Sequence, residues 1–290
     1  MNKVENIETK VNSNKKRVSD NDGIDRKKRN KKYKNIKQDE KPIGIVECPL
    51  CECNDPLVVV EYIYLHRKYY FTCNQCTLVF VHSKYHVTNE KEKERYEHHH
   101  NSPLDQKYKD FLKPAIDKLL PLLKDTMEKS QKTKEDLVGL DYGCGPTPTL
   151  SVMFKELGYQ MENYDPYFQP NETVQSIETL KDKPSQILEK RFDFITCTEA
   201  IEHFNKPLQD LRKLLDYGLL MDNGCLLIMT QLLKNDEMFK NWFYPRDQTH
   251  ICFFRKSTFE WIAKKFQREV TIFEEENIII IKNTEKSSIK

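Results

Sequence analysis

The sequence predicts an α/β fold behind a small cysteine-rich module, and three observations lead to that prediction. Strand-like and helix-like segments alternate between residues 137 and 283. A glycine-containing turn follows the first of these strands, and an acidic residue follows the second. Ahead of them, two C-x2-C pairs are separated by 21 residues. The predicted parts are a disordered basic tail (1–43), a zinc-ribbon-like module (44–90), linking helices (91–135), the α/β domain (136–283) and a short tail (284–290).

The composition indicates that part of the chain does not fold. A chain of 290 residues has room for one α/β domain of roughly 150 residues and a small module. Yet 32% of it is charged and its mean hydropathy is −0.74. Residues 1–43 hold 14 Lys/Arg against 7 Asp/Glu, a net charge of +7, whereas the whole chain carries +2, so the remainder carries about −5. A polar tail with few aromatics cannot offset its ordering entropy, which predicts disorder there.

Two basic clusters lie in this tail, at 15–17 and 26–32. Their spacing is typical of a two-part signal bound by a nuclear import receptor, or of an arm that attracts phosphates. A merely solubilising tail is the alternative. No apolar run approaches the roughly 20 residues of a membrane span, and no apolar signal-peptide core is found. We therefore expect an intracellular protein, nuclear or cytoplasmic, whose nine cysteines are thiols or metal ligands.

The two cysteine pairs predict a structural zinc site. Segments 58–64 and 68–72 are predicted to form two strands between the pairs. Two knuckles with a hairpin are typical of a zinc ribbon, which folds because Zn²⁺ binds. Four thiolates leave no open coordination position, so this zinc would do no chemistry, and Cys53 is expected to be a spare thiol. The predicted ligands are Cys48, Cys51, Cys73 and Cys76.

Six of the eight histidines lie between His66 and His100. Consecutive histidines cannot all face one point, so segment 95–101 is interpreted as a solvated loop in preference to a second metal site. Beyond it, segments 108–112 and 116–120 have helical apolar spacing and predict one or two linking helices.

The α/β region begins with a ligand-binding type of turn. Strand 137–141 ends in Asp141-Tyr-Gly143-Cys-Gly145, and a helix is predicted over 150–157. Glycines let the backbone approach a ligand closely, and the helix N-terminus attracts a carboxylate or phosphate. Asp165 follows the second strand, 24 residues after Asp141, where βαβ folds place a group that binds ribose. A nicotinamide-cofactor enzyme would need G-x-G-x-x-G, and Pro148 interrupts that spacing.

The order of the remaining elements completes the pattern. Residues 172–190 show no convincing third strand. The other predictions are a strand, loop and helix over 191–204, a strand over 223–231, an amphipathic helix over 257–266 and two strands over 268–283.

Residues 137–283 resemble the class I S-adenosylmethionine-dependent methyltransferases, on LDYGCGPTPTLSVMFKELGYQMENYDPYF and FDFITCTEAIEHF. The resemblance implies a Rossmann-like sheet, a D-x-G-x-G turn that binds the methionine part of the donor, and an acid that binds its ribose. Thr147 departs from the fuller glycine pattern, and the adenine contacts stay unassigned. The implied donor-binding residues are Asp141, Gly143, Cys144, Gly145, Asp165, Thr198 and Glu199.

The acceptor side is predicted around the segment TEAIEH. A helix starting near Glu199 would place Glu199, Glu202 and His203 on one face, and the segment 246–250 could bring His250 to the same cleft. This pattern resembles O-methyltransferases that act on the terminal ribose of small RNAs or on catechol-like quinone precursors. Resemblance to the RNA group implies a Mg²⁺ or Mn²⁺ ion held by Glu199, Glu202, His203 and His250.

Readings without that ion stay open. The Glu-His pair supports the loop in many methyltransferases that use no metal, His203 or His250 could act as an unassisted base, and His250 could be a core histidine. Trp242, Phe243 and Tyr244 either line the acceptor pocket or are ordinary packing.

The predicted function is O-methylation of a small metabolite, assisted by Glu202, His203 and His250, and the acidic body favours it. An RNA (ribose or base) methyltransferase that grips its substrate with the module and tail is the alternative. A protein substrate is a third reading. A non-catalytic zinc-ribbon protein with a degenerate scaffold is a fourth, and the retained Asp141, Gly143, Gly145 and Asp165 argue against it.

Overall fold

The computed structural model describes residues 44–98, 101–180 and 191–283. The predictions for the basic tail 1–43, for His99 and His100 and for the tail 284–290 lie outside the described residues.

Two sheets organise the described residues. Their strands are β1 Val59–Leu65, β2 Lys68–Cys73, β3 Val79–Val81, β4 Val138–Tyr142, β5 Gln160–Tyr164, β6 Phe192–Thr198, β7 Leu220–Met229, β8 Cys252–Phe253, β9 Glu269–Phe273 and β10 Ile278–Lys282. The α-helices are α1 Asn89–Glu97, α2 Gln106–Ser130, α3 Thr149–Glu156, α4 Glu172–Leu180, α5 Pro207–Leu215, α6 Asp236–Phe239 and α7 Lys256–Phe266.

The larger sheet confirms the predicted α/β architecture. Its strand order is β5-β4-β6-β7-β10-β9, and β5, β4, β6 and β7 run parallel to one another. β10 runs antiparallel to both β7 and β9, so the predicted terminal antiparallel pair closes one side of the sheet. After β5 the described chain continues into helix α4, and residues 181–190, the rest of the segment for which no third strand was predicted, lie outside the described residues. The parallel strands therefore bring the ends of β4, β5 and β6 to one edge.

Helix α2 covers one face of this sheet. It is a single helix of 25 residues that includes Pro114 and Pro121. Leu112, Ile116 and Leu119 are buried on it at helical spacing, and they belong to a core that also contains Phe154, Phe194 and Ile280. The apolar stripe thus outweighs the cost of two prolines, and one linking helix forms where one or two were predicted.

The smaller sheet joins the cysteine module to the rest of the protein. Its order is β1-β2-β3-β8, and each pair of neighbours is antiparallel. The hairpin of β1 and β2 was predicted, whereas β3 was not. β8 comes from between β7 and α7, about 170 residues further along the chain. One hydrophobic core contains residues of both sheets, so the module and the larger sheet pack within one compact unit.

Two local predictions are wrong. No helix starts at Glu199, which has a left-handed backbone (φ +47°); only a 3₁₀ turn forms, over Ile201–His203. The carbonyl of Glu202, within this turn, accepts a hydrogen bond from the Ile251 amide (2.9 Å). Residues 95–97 belong to helix α1 instead of a loop, with acidic residues in the first turn that suit the helix dipole.

No helix in the described ranges is long and apolar enough to cross a membrane.

Candidate functional site

A cavity of about 710 Å³ opens at the edge where β4, β5 and β6 end. This is the edge at which open α/β sheets bind ligands. All the residues predicted to bind the donor or to act on the acceptor line it: Asp141, Gly143, Cys144, Gly145, Asp165, Thr198, Glu199, Glu202, His203 and His250.

The turn after β4 depends on its glycines. Gly143 has φ +80°, and a Cβ there would lie 2.6 Å from the Cβ of Ala200. The amides of Gly143 and Cys144 both donate to the carbonyl of Tyr164 (2.7 and 3.1 Å), which ties the turn to the end of β5. Gly145 has φ +66°, and nothing lies within 4 Å of the position of a Cβ. The backbone at Gly145 therefore has space for a ligand in van der Waals contact.

Asp165 is held by backbone amides. Its Oδ1 accepts from Tyr167 (2.8 Å) and Phe168 (3.2 Å), and its Oδ2 accepts from Gly145 (3.0 Å). Burial raises the pKa of this carboxyl, and these amides act in the opposite direction. The carboxylate is thus fixed beside the glycine turn before any ligand arrives.

Asp141 is buried beneath the turn, and its Oδ1 accepts from the hydroxyl of Thr196 (2.8 Å). Burial raises the pKa of Asp141 to about 6, against the effect of the Thr196 hydrogen bond.

A second group of polar residues lies in the same cavity. Glu202 is fully buried, and its two carboxylate oxygens accept from the hydroxyls of Tyr244 (2.6 Å) and Thr230 (2.9 Å). Glu202, His203 and His250 each offer one ligand atom, and these atoms lie within 4.8 Å of one another. Glu199 is not part of this group. We call Glu202, His203 and His250 the Glu-His cluster.

Both histidines of the cluster are oriented by backbone carbonyls. Nδ1 of His203 lies 3.0 Å from the carbonyl oxygen of Thr249, and Nδ1 of His250 lies 2.8 Å from that of Tyr244. A carbonyl can only accept, so Nδ1 carries the proton and Nε2 carries the lone pair in the neutral ring. Burial and the neighbouring His203 lower the pKa of His250 to about 4.

Glu199 stands apart from this cluster but lines the same cavity. Its left-handed backbone is uncommon for a residue with a side chain. Its Oε1 is buried and has no hydrogen-bond partner among the described residues. Burial, followed by the nearby Glu202, raises the pKa of Glu199 to about 9. A strained residue with an unsatisfied buried carboxyl marks a place where a ligand group can bind.

Comparison with known proteins identifies the family. A family model described as a methyltransferase domain matches residues 104–271, more than half of the chain. The chain belongs to the methyltransferase-domain family. Its sheet and its D-x-G-x-G turn make it a class I, S-adenosylmethionine-dependent methyltransferase. No curated protein matches the sequence.

Solved methyltransferases are similar at low identity. A SAM-dependent methyltransferase from Archaeoglobus fulgidus is 15% identical, with 56% of this chain and 93% of that chain covered and a TM-score of 0.38. An O-methyltransferase family protein from Burkholderia thailandensis is 12% identical, with 68% and 63% covered and a TM-score of 0.40. A 1,6-didemethyltoxoflavin-N1-methyltransferase from the same organism, with bound S-adenosylhomocysteine, is 12% identical, with 72% and 96% covered and a TM-score of 0.38.

The four predicted cysteines of the methyltransferase come together in the ribbon. All four sulfurs lie within 4.8 Å of one another, including pairs Cys48–Cys76 at 3.5 Å and Cys51–Cys73 at 3.4 Å. Four sulfurs bound at about 2.3 Å around a tetrahedral ion would be about 3.8 Å apart. The arrangement therefore fits Zn²⁺, and Cys53 is not part of the group.

Helix α1 supplies cavity residues that were not predicted. Tyr96 packs edge-on against His203 (ring centroids 5.2 Å apart), and its hydroxyl donates to Glu92 (2.6 Å). The hydroxyl of Tyr167 donates to the other oxygen of Glu92 (2.8 Å). The only available signal was the helical spacing of Glu92 and Tyr96, which the histidine run after them obscured.

The predicted aromatic wall does not form as expected. Among the described residues that line the cavity, neither Trp242 nor Phe243 is found. Trp242 stacks on Tyr244 (5.0 Å), and Tyr244 lies beneath Glu202 as its hydrogen-bond donor. Phe243 is 61% exposed. Tyr244 therefore supports the Glu-His cluster directly, and Trp242 supports it through Tyr244.

Proposed function

We propose that this methyltransferase transfers the methyl group of S-adenosylmethionine to a hydroxyl oxygen of a small molecule, and that the Glu-His cluster activates that hydroxyl. One observation carries the proposal. The ligand atoms of Glu202, His203 and His250 converge within 4.8 Å in the cavity that also holds the glycine turn and Asp165. The groups proposed to bind the donor and to accept the proton thus line one cavity.

The donor would lie along the ends of β4 and β5. In this proposal, the backbone of Gly143–Gly145 holds its methionine part, beside Cys144 and Thr198, and Asp165 accepts hydrogen bonds from its ribose hydroxyls. Glu199 lies across the same cavity with an unpaired carboxyl oxygen. It would accept from the ammonium group of the donor, which would relieve the cost of an unsatisfied buried oxygen.

The transfer itself is a displacement at carbon. A carbon–oxygen bond forms to the acceptor, the carbon–sulfur bond of the sulfonium breaks, and S-adenosylhomocysteine leaves with the sulfur electron pair. The hydroxyl proton passes to Nε2 of His203 or His250. His250 is able to receive it because its lowered pKa keeps the ring neutral at neutral pH. A positioned base contributes about 10²–10⁴-fold to rate, and alignment of the reactants contributes the rest.

A divalent ion is a second way to use the same cluster. Two imidazole nitrogens and one carboxylate suit a transition ion such as Mn²⁺ better than Mg²⁺, which prefers an all-oxygen shell. The carbonyls that hold the Nδ1 atoms are the outer-shell partners of metal-binding histidines. Glu202, His203 and His250 would hold such an ion, and Glu199 would stay with the donor. The ion would lower the pKa of the acceptor hydroxyl.

Size and charge favour a small acceptor. The cavity of about 710 Å³ would hold both the donor and the acceptor, and it lies in the range of small-molecule sites, about 300–1,000 Å³. Residues 44–290 carry a net charge of about −5, which opposes the approach of a polynucleotide. The RNA alternative depends on the basic tail 1–43, outside the described residues.

The test supplies S-adenosylmethionine labelled on its methyl group, together with small-molecule, RNA and protein fractions of a cell extract. We expect label in the small-molecule fraction. Changing His203 and His250 together to glutamine should reduce it by about 10²–10⁴-fold, while calorimetry shows the affinity for S-adenosylhomocysteine to be unchanged. His98→Gln is the control, because Nδ1 of His98 also contacts a backbone carbonyl, outside the cluster.

Other outcomes decide between the readings. Label in the RNA fraction, lost on deletion of residues 1–43, would establish the RNA alternative. Absence of binding of both S-adenosylmethionine and S-adenosylhomocysteine would overturn the proposal. Brief chelation followed by addition of Mn²⁺, with ribbon zinc measured in parallel, separates the metal-assisted form from the unassisted base.

A further inference from the structure

We propose that the four-cysteine ribbon positions the acceptor side of the active site. The segment 245–253, here called the acceptor segment, carries His250 and ends in strand β8. Strands β2 and β3 of the ribbon hold this segment along its length. The ribbon would then be part of the catalytic apparatus through geometry, without touching the substrate.

The ribbon contacts the acceptor segment at four successive points. Nζ of Lys68 donates to the carbonyl of Gln248 (3.0 Å), and the hydroxyl of Tyr70 donates to that of Pro245 (3.4 Å). The amide of Val81 donates to the carbonyl of Ile251 (2.8 Å). Beyond Ile251, β3 pairs with β8. Hydrogen bonds thus fix the backbone on both sides of His250.

The acceptor segment in turn fixes the Glu-His cluster. The amide of Ile251 donates to the carbonyl of Glu202 (2.9 Å), and the carbonyl of Thr249 lies 3.0 Å from Nδ1 of His203. A shift of the segment would therefore move His250 and alter the orientation of His203 together. Displacement of catalytic groups by about 1 Å can cost on the order of 10²-fold in rate.

Lys68 makes this inference specific. Its side chain is buried, with the residue only 7% exposed, and burial lowers its pKa to about 8. A lysine is rarely buried unless it is paired, and the group that this one bonds is the backbone oxygen two residues before His250. We assign Lys68 as a positioning residue for the acceptor segment.

The cysteine knuckle secures the other end of the same strands. Cys73 ends β2, and Cys76 lies in the turn before β3. The hydroxyl of Thr77 is within hydrogen-bond distance of the hydroxyls of Ser257 (2.7 Å) and Thr258 (3.0 Å), at the start of helix α7. The cysteine cluster therefore holds the second knuckle, Cys73–Cys76, and helix α7 holds Thr77, which follows it directly.

Two variants that leave the cysteines intact test the proposal: Lys68→Met and the milder Tyr70→Phe. Each is checked for one bound zinc, and hydrogen exchange is then measured by mass spectrometry. In Lys68→Met, we expect the amides of 248–253 to exchange about tenfold faster, and those of β4 and β6 to be unchanged. Lys132→Met, which breaks an ion pair with Asp193 (2.6 Å) on β6, is the matched control.

The catalytic consequence rests on the proposed function, and the exchange result does not. Lys68→Met should lower turnover at least about tenfold, with the affinity for S-adenosylhomocysteine and the KM for the donor unchanged. Unchanged exchange at 248–253 in both variants overturns the proposal, and so does faster exchange with full turnover. A wild-type protein that binds no donor refutes the proposed function alone, because the exchange comparison can still be made.

Discussion

The cysteine cluster and the Glu-His cluster are both groups of metal-ligating side chains, and they differ in almost every other respect. The four cysteines come from two short knuckles of one local hairpin, and three of the four are buried. The Glu-His cluster combines the turn after β6 with a segment more than 40 residues later, and it opens into the cavity. The cysteine cluster is closed and contains only thiol ligands, whereas the Glu-His cluster is open and combines a carboxyl with two imidazoles.

This difference separates stabilisation from chemistry. A closed tetrahedral site uses all of its ligands on the ion, and the binding free energy becomes folding free energy. The open cluster keeps the buried carboxyl of Glu202 and the neutral ring of His250 at the wall of the cavity, which costs stability. We expect damage to the first cluster to unfold the protein, and damage to the second to abolish activity while the fold survives.

The largest predicted effect comes from the closed cluster. Changing Cys73 and Cys76 together to serine should remove one zinc per chain and lower the free energy of unfolding by on the order of 5 kcal/mol. The core of the ribbon continues into that of the larger sheet, so the whole described unit should lose stability. Metal analysis and denaturant unfolding measure the two quantities.

Cys53→Ser is the matched control for the double variant. Cys53 lies two residues after Cys51 but is outside the cluster, so zinc content and stability should stay at wild-type values. If the double variant keeps its zinc, or loses it without a change in the free energy of unfolding, the cysteine cluster does not stabilise the fold as proposed.

Because His250 of the open Glu-His cluster is buried, the free energy of unfolding should depend on pH. The pKa of His250 is lowered to about 4, from about 6.5 in the unfolded chain, so the folded state disfavours the protonated ring. Stability from this group is complete above pH 6.5 and is lost as the pH falls to 4, by about 3 kcal/mol in total.

Buried carboxyls with raised pKa values act in the opposite direction, so His250→Gln is the reference for this measurement. The stability of the wild type relative to His250→Gln should fall between pH 6.5 and pH 4. A constant difference across this range would mean that His250 is not buried as a neutral ring.

The two clusters also show which features of the protein can be predicted from its sequence. The cysteine pairs and the hairpin between them follow from local spacing, and the structure brings those four residues together. The order of strands and helices along the chain and the turn after β4 likewise depend on local patterns. All the predicted cavity residues could be located because class I sheets align the ends of their parallel strands.

What could not be predicted depends on contacts between distant segments. β3 and β8 are three and two residues long; β8 pairs with β3, a strand about 170 residues earlier in the chain, and β3 lies between β2 and β8. Where the sequence predicts a helix from Glu199, the structure has a 3₁₀ turn, and the carbonyl of Glu202 in that turn accepts from the distant amide of Ile251. Neither contact leaves a periodic signal in the sequence, and so the union of the ribbon with the acceptor segment was not foreseen.

The smallest predicted effect concerns Glu199, which we expect to lose its proton when S-adenosylhomocysteine binds. Because burial and Glu202 raise the pKa of Glu199 to about 9, this carboxyl is protonated at pH 7.5. An ammonium group of the donor beside it would favour the ionised form, so binding of S-adenosylhomocysteine should release about one proton. Calorimetry in buffers of different ionisation enthalpy measures that release. It should vanish in Glu199→Gln and persist in Glu92→Gln, which changes another buried carboxyl of the same cavity. If the wild type and Glu199→Gln release the same number of protons, the ammonium group does not bind beside Glu199, and Glu199 would then be assigned to the acceptor side of the cavity.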